Sequence, residues 1–192
     1  MVKFFLFFLS SVFCFPSSST AQHEPGEFTN LSEALLHPEN VFSLNLRKQK
    51  LKEIPPEIFQ LKNLTVLNLS KNKITSIPKE IGQLTALTVL DLSNNKIELL
   101  PMEIGELRNL QKLILGKNEI FSLPASFGNF TSLEYLDLWS NNLTELPKEM
   151  GALARIKILD MRLIQMSKQK QDAIQQMLPK TLIYFSPSCN CD

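Results

Sequence analysis

The sequence repeats itself from residue 41 onward with a constant period, and the copies align without a gap. A repeat this short cannot bury its own hydrophobic face, so neighbouring copies must stack and share one continuous core. The complete copies are VFSLNLRKQKLKEIPPEIFQLKN, LTVLNLSKNKITSIPKEIGQLTA, LTVLDLSNNKIELLPMEIGELRN, LQKLILGKNEIFSLPASFGNFTS and LEYLDLWSNNLTELPKEMGALAR, spanning residues 41–155. A partial copy continues to residue 163. The chain is therefore expected to form a solenoid.

Each copy has two halves with different local patterns. The first half reads LxxLxLxxNx(I/L), and this alternation of apolar residues predicts a short strand. The second half carries a proline in every complete copy, at Pro55, Pro78, Pro101, Pro124 and Pro147. Proline has a fixed φ and no amide donor, so it suits a turn and excludes a second strand. Stacked strands then place the leucines at positions four and six of each copy in the core.

These residues closely resemble the leucine-rich repeat family, specifically the 23-residue class with an IPxEIGxL second half that is found in bacterial repeat proteins and animal Ras-suppressor-like proteins. The resemblance covers residues 41–163. It implies an α/β solenoid with a curved parallel β-sheet on the concave side and short helical or irregular turns on the convex side. Secreted animal and plant members usually carry cysteine-rich caps, and this sequence has none, which favours a bacterial exported protein.

The N-terminal segment, residues 1–21, has the pattern of a signal peptide. Its apolar run, residues 4–15, is about twelve residues long, whereas a membrane span needs roughly twenty. Small residues end the segment at Ala21, so Gln22 is the predicted mature start. We therefore expect an exported protein, secreted, periplasmic or at the cell surface, with no membrane span after cleavage.

Polar segments are expected to cover both ends of the solenoid. Residues 22–28 are predicted to be a mobile linker. Residues 29–40 predict an N-terminal helical cap that begins at Asn30, whose side chain suits an N-cap. Residues 164–192 predict a helix, a strand one period beyond the last repeat, and a tail that ends in Cys-Asn-Cys.

Charge and motif content narrow the functional class. The chain has 20 Lys and Arg against 19 Asp and Glu, a balance that does not favour nucleic acid or anionic membranes as partners. It has two histidines, His23 and His37, and no catalytic or nucleotide-binding motif. We therefore expect no enzymatic activity, no cofactor and no metal site.

Alternation along the strands predicts which side chains face a partner. Positions three, five, seven and eight of each copy project from the concave side, opposite the core leucines. An aromatic pair, Tyr135 and Trp139, lies there among charged residues, which is typical of an interaction hot spot; the alternative is a pair that only packs on its neighbours. The predicted partner-binding residues are Val89, Asp91, Lys112, Ile114, Tyr135, Asp137, Trp139, Ile158, Asp160 and Arg162. The expected ligand is a protein, with a surface glycan as the alternative.

The C-terminal Cys189 and Cys191 allow a second hypothesis. Two cysteines at this spacing can close a small strained disulfide that exchanges with other thiols. They can also bond to a partner, bind a soft metal with outside ligands, or have no role. The alternative functions are accordingly a thiol redox or disulfide-exchange protein and a structural envelope component.

Overall fold

The protein is described by a computed structural model that covers residues 27–189. Eight strands form one parallel sheet in which the order in space equals the order in the chain. The strands are β1 (Glu27–Phe28), β2 (Ser43–Asn45), β3 (Val66–Asn68), β4 (Val89–Asp91), β5 (Lys112–Ile114), β6 (Tyr135–Asp137), β7 (Ile158–Met161) and β8 (Leu182–Phe185). Two α-helices flank the repeats, α1 (Leu31–Ala34) and α2 (Lys168–Met177).

The register of the sheet follows the repeat. Ser43 pairs with Val66 and Val66 with Val89, each one repeat period further along the chain. Equivalent positions therefore lie side by side, and the leucines at positions four and six form two columns through the core. These columns are fully buried: Leu44, Leu67, Leu90, Leu113, Leu136 and Leu159, and Leu46, Leu69, Leu92, Leu115, Leu138 and Met161. Each such side chain contributes on the order of 1.5–3 kcal/mol to stability.

Short 3-10 helices form the opposite side of the solenoid. They span Pro38–Asn40, Pro56–Gln60, Lys79–Gln83, Met102–Glu106, Ala125–Asn129 and Lys148–Ala152. In the complete repeats the recurring proline stands directly before the helix, as Pro78 does before Lys79–Gln83. Its fixed φ ends the preceding extended segment and starts the turn. The predicted α/β solenoid, with strands on one side and short helical turns on the other, is confirmed.

Buried asparagines at position nine hold the end of each strand to the next repeat. Asn95 donates from Nδ2 to the carbonyls of Leu69 (3.1 Å) and Leu92 (2.9 Å), and its Oδ1 accepts from the amide of Ile74 (3.0 Å). Its equivalents in the other repeats, Asn72, Asn118 and Asn141, make the same set of contacts. Each amide thus satisfies backbone groups that the turn removes from the sheet.

The N-terminal end differs in part from expectation. Asn30 caps α1 as predicted, with Oδ1 accepting from the Ser32 amide at 2.9 Å, but the α-helix ends at Ala34 and the predicted cap continues as a turn and a 3-10 helix. Glu27–Phe28, assigned to the linker, instead forms β1, because the edge of β2 offers backbone partners to any extended segment beside it. The predicted signal peptide and residues 22–26 lie outside the described residues.

The C-terminal end follows the predicted order of helix and strand. α2 packs on the last 3-10 helix, and its buried Gln171 donates to the carbonyls of Met166 and Ser186. β8 follows, with Leu182 in register with Ile158. Cys189 pairs with Ser167 in an isolated parallel bridge and is disulfide-bonded, whereas Cys191 lies outside the described residues. Within residues 27–189, no helix is long and apolar enough to cross a membrane.

Candidate functional site

The ten predicted partner-binding residues lie on β4 to β7 or directly after them. Val89 and Asp91 are on β4, Lys112 and Ile114 on β5, Tyr135 and Asp137 on β6, and Ile158 and Asp160 on β7. Trp139 and Arg162 follow shortly after β6 and β7. In-register pairing brings them into two adjoining rows, because Lys112 pairs with Tyr135 and Tyr135 with Ile158.

Two lysines lie over the two aromatic rings. Nζ of Lys112 is 5.0 Å from the centre of the Tyr135 ring, and Nζ of Lys117 is 4.6 Å from the centre of the Trp139 indole. At these distances an ammonium group is attracted to the negative face of the ring, an interaction of about 0.5–1 kcal/mol at an exposed site. Both aromatic side chains are half-buried, so each presents one face to a lysine and keeps other surface accessible.

Asp137 lies between the two aromatic residues along the chain. Its Oδ1 accepts from the Trp139 amide at 2.8 Å. Its carboxylate lies against the glycine of the preceding repeat, where a Cβ on Gly116 would be 2.9 Å from Oδ2 and 3.0 Å from Oδ1. Gly116 thus leaves the space that the carboxylate occupies. Burial, opposed by the Trp139 hydrogen bond and assisted by the charge of Asp160, raises the pKa of Asp137 above its ordinary value. We name Lys112, Lys117, Tyr135, Asp137 and Trp139 the aromatic patch.

Asp160 has the same position in the next repeat but a different environment. Its Oδ1 accepts from the backbone amide of Arg162 at 3.1 Å, and both carboxylate oxygens accept from the Arg162 guanidinium. Burial alone would raise the pKa of Asp160, but the hydrogen bonds and charge of Arg162 outweigh it and lower that pKa. The side chain is only 7% exposed. Asp160, expected among the contact residues, is therefore buried and orients Arg162.

Tyr135 has a raised pKa for related reasons. Burial is the main cause, and the negative charges of Asp137 and Asp160 add to it, while Arg162 acts in the opposite direction. The phenol therefore stays protonated at physiological pH and can donate a hydrogen bond.

Among the described residues no three His, Cys, Asp or Glu side chains cluster where they could hold a metal ion.

Three residues of this face were not selected from the sequence. Lys117 stands at position eight, on the predicted concave side but outside the chosen set. Leu182 and Tyr184 extend the concave face by one strand, because Tyr184 pairs in register with Asp160, and its ring centre is 5.6 Å from the Arg162 guanidinium carbon. One further repeat period from Ile158 reaches Thr181 and so predicts a strand here, although the observed pairing of Ile158 with Leu182 is shifted by one residue.

The repeat pattern and the fold agree with a comparison to known families. A family profile described as leucine-rich repeat region matches residues 57–183. The chain belongs to the leucine-rich repeat family. Leucine-rich repeat folds generally bind proteins and are typically non-enzymatic. A comparison with curated proteins gives no significant match.

Solved structures of leucine-rich repeat proteins resemble this chain over most of its length. A Leptospira interrogans LRR protein, LIC12759, is 27% identical, with a TM-score of 0.55 and coverage of 84% of this chain and 59% of that one. An internalin from Listeria monocytogenes, inlF, shares the fold at 23% identity, with a TM-score of 0.69 and coverage of 80% and 44%. This chain thus spans less than two thirds of the length of either protein.

A plant structure also resembles this chain. The BIR3–SERK2 complex from Arabidopsis thaliana contains a chain that is 26% identical, with a TM-score of 0.54. The match covers 78% of this leucine-rich repeat chain and 70% of the plant chain. In that case, a chain of the same fold was crystallised in complex with another protein.

Proposed function

We propose that this leucine-rich repeat protein is exported and binds a protein partner through its concave face, with the aromatic patch as the centre of the contact. The observation that carries the proposal is the position of the Lys112 and Lys117 ammonium groups over Tyr135 and Trp139, on either side of Asp137. Aromatic residues framed by charged groups are the usual centres of binding energy in protein interfaces.

The contacts within the patch reduce the entropy that binding would cost. Tyr135 and Trp139 are half-buried and each is covered on one face by a lysine, so their rotamers are restricted before a partner arrives. Aromatic side chains already have few rotatable bonds, so ordering them at an interface costs little. A partner that covers both rings therefore gains contact area at a small entropic cost.

The charges of the patch define the chemistry expected of the partner. Within the described part of the chain, the Trp139 amide is the hydrogen-bond donor to Asp137, and it occupies Oδ1. Oδ2 is left to accept a hydrogen bond from a cationic or N–H group of the partner. Asp160 already neutralises Arg162, so the charges that remain for recognition are those of Lys112, Lys117 and Asp137.

Two further observations support the class of ligand and the compartment. A chain of similar fold occurs in the BIR3–SERK2 complex, which makes a protein the first choice of ligand. The signal-peptide pattern of residues 1–21 supports export.

Fractionation of the native cells tests export and should place the protein outside the cytoplasm. N-terminal sequencing should find Gln22 as the first residue. Recovery of the intact N-terminus in the cytoplasm would contradict export.

Affinity capture from the native envelope and culture fluid tests the binding proposal. The double variant Tyr135→Ser/Trp139→Ser is compared with wild type and with the control Phe42→Ser/Phe121→Ser, which removes two aromatic residues that are 49% and 48% exposed outside the patch. A partner retained by wild type and the control, and bound at least about thirtyfold more weakly by the patch variant, is expected if the patch is a hot spot of about 2 kcal/mol or more.

The same eluates distinguish binding through the aromatic patch from the alternative, in which the partner is bound through Cys189 and Cys191. A partner that all three proteins retain, and that only a reductant releases, would assign binding to the C-terminal cysteines instead. Equal affinity of an identified partner for wild type and Tyr135→Ser/Trp139→Ser, with both proteins folded, would overturn the proposal.

A further inference from the structure

The last strand of the sheet, β8, has an open edge within the described part of the chain. In each of the five complete repeats, the amide at position six donates to the next strand, as Leu92 does to the Ile114 carbonyl at 2.9 Å and Leu138 to the Asp160 carbonyl at 2.9 Å. Phe185 holds position six in β8. No described strand follows it, so its amide points to the open side of the sheet.

The alternation of hydrogen bonds identifies the exposed backbone groups. The Leu182 amide donates to the Lys157 carbonyl at 2.9 Å, so Leu182 and Tyr184 turn their amides toward β7. Ile183 and Phe185, which alternate with them, turn their N–H and C=O groups outward. The open edge thus offers two donors and two acceptors in a row.

Natural proteins usually protect such edges with charged residues, proline, bulges or very short strands. β8 has the sequence Leu-Ile-Tyr-Phe, which contains neither charge nor proline. Leu182 and Tyr184 are 54% and 42% exposed, and Ile183 and Phe185 are only partly covered by the core. At the other end of the sheet, β1 is only two residues long and includes Glu27. The unprotected edge is therefore a feature of the C-terminal end.

We propose that β8 is a self-association surface, on which a second copy of this chain adds its own β8 in the antiparallel direction. The two copies would be related by a twofold axis through Tyr184. This register opposes Ile183 to Phe185 of the second copy, so that all the outward N–H and C=O groups of both strands are paired. It also opposes the two Tyr184 rings on the concave side, where aromatic pairs stabilise a sheet.

An alternative axis through Ile183 is less favourable. It would pair Phe185 with Thr181 of the second copy, and the Thr181 amide already donates to the Leu178 carbonyl at 3.2 Å. The axis through Tyr184 has no such conflict. It also places Ile183 and Phe185 against each other on the core side, where both side chains are incompletely covered in one copy.

The rest of the C-terminal end leaves room for the second copy. α2 belongs to the same repeat as β7, so the strand β8 extends one layer beyond the helix. Adjacent strands are about 4.8 Å apart, so the two β7 strands of the dimer would be about 14 Å apart, and a helix is about 10–12 Å across. The two α2 helices therefore fit side by side. The dimer would join the two concave faces into one continuous sheet.

Sedimentation analysis and light scattering over a range of concentrations test this inference, using the full chain expressed with its own N-terminal segment. Wild type should double its mass as concentration rises. Tyr184→Lys and Tyr184→Glu each place like charges directly opposite one another, so each alone should dimerise at least about tenfold more weakly. An equal mixture of the two variants should recover the dimer, because the charges are then opposite.

Phe121→Lys is the control, because Phe121 is an exposed aromatic residue far from β8 in the sequence and on another repeat, and this variant should dimerise like wild type. Circular dichroism confirms that each variant is folded. A wild-type chain that stays monomeric throughout, or a dimer that neither Tyr184 variant weakens, would overturn the inference. So would a dimer that a reductant dissociates while the Tyr184 variants leave it intact.

Discussion

The ammonium group of Lys117 lies 4.6 Å from the centre of the Trp139 indole ring, and the two residues come from neighbouring repeats. Trp139 is the only tryptophan in the sequence. Its fluorescence therefore reports directly on the concave face.

Replacing Lys117 by Ala should change the Trp139 emission and lower the free energy of unfolding by about 0.5–1 kcal/mol, because the cation is removed from the ring face. Lys71→Ala is the matched control. Lys71 has the same position in its repeat and the same left-handed backbone, with φ 57° at both lysines, so the effect of the backbone cancels. Fluorescence spectra and chemical denaturation measure both effects; identical changes in the two variants would show that the indole contact contributes nothing.

Gly116→Ala should lower the free energy of unfolding by about 1 kcal/mol, since a Cβ would lie 2.9 Å from Oδ2 of Asp137 and displace the carboxylate. Chemical denaturation measures the loss. The same substitution made together with Asp137→Ala should cost much less, because the clashing group is gone. An equal cost in both backgrounds would mean that the loss arises from the backbone at residue 116.

Asp137 and Asp160 should have opposite effects on the dependence of stability on pH. The pKa of Asp137 is raised in the folded protein, so its charged form is disfavoured, and Asp137→Asn should increase stability at pH 7. That gain should disappear as the pH falls below the ordinary aspartate pKa of 3.8. The pKa of Asp160 is lowered, so Asp160→Asn should reduce stability at pH 7. That cost should begin to fall once the pH drops below 3.8 and should vanish only below the lowered pKa of the folded protein.

Thermal or urea unfolding at several pH values measures both dependences. The two variants serve as controls for each other, because each removes one carboxylate at the same repeat position. Parallel pH profiles for the two would contradict the assigned pKa directions.

Asn95→Ala should lower the free energy of unfolding by about 2 kcal/mol, because it leaves the buried Ile74 amide without its acceptor. It also removes one donor from each of the Leu69 and Leu92 carbonyls, which keep the donors of Asn72 and Asn118. Asn109→Ala is the comparison. Asn109 makes one hydrogen bond, to the Thr85 carbonyl, at the surface, and its loss should cost about 1 kcal/mol or less. Urea denaturation measures both, and equal losses would refute the structural role of the position-nine asparagines.

Most of the fold could be predicted from the repeat length. A constant repeat period places Leu67 beside Leu90 and Asn72 beside Asn95 whatever the details of the turns, so register, core and asparagine contacts follow from counting. The same count finds β8 but misses its register by one residue, because one period from Asp160 reaches Ile183 whereas the structure pairs Asp160 with Tyr184. Both rows of the candidate site were predicted on the correct strands for this reason.

The repeat period could not predict the environments of individual side chains. Asp137 and Asp160 hold the same position in successive repeats, yet Asp137 faces the space above Gly116 while Asp160 is buried under Arg162. The placement of Lys117 over Trp139 and the pairing of β1 with β2 are similar cases. Each depends on which side chains and segments meet across strands.

The sequence by itself determined the architecture, because a periodic pattern specifies which residues become neighbours one period apart, and each buried column repeats the same contact. The tertiary structure alone decided which carboxylate is neutralised, which aromatic ring is covered and which edge of the described sheet has no partner strand. These depend on the ends of the solenoid and on single non-repeating residues such as Gly116 and Arg162, whose surroundings are set by packing across strands.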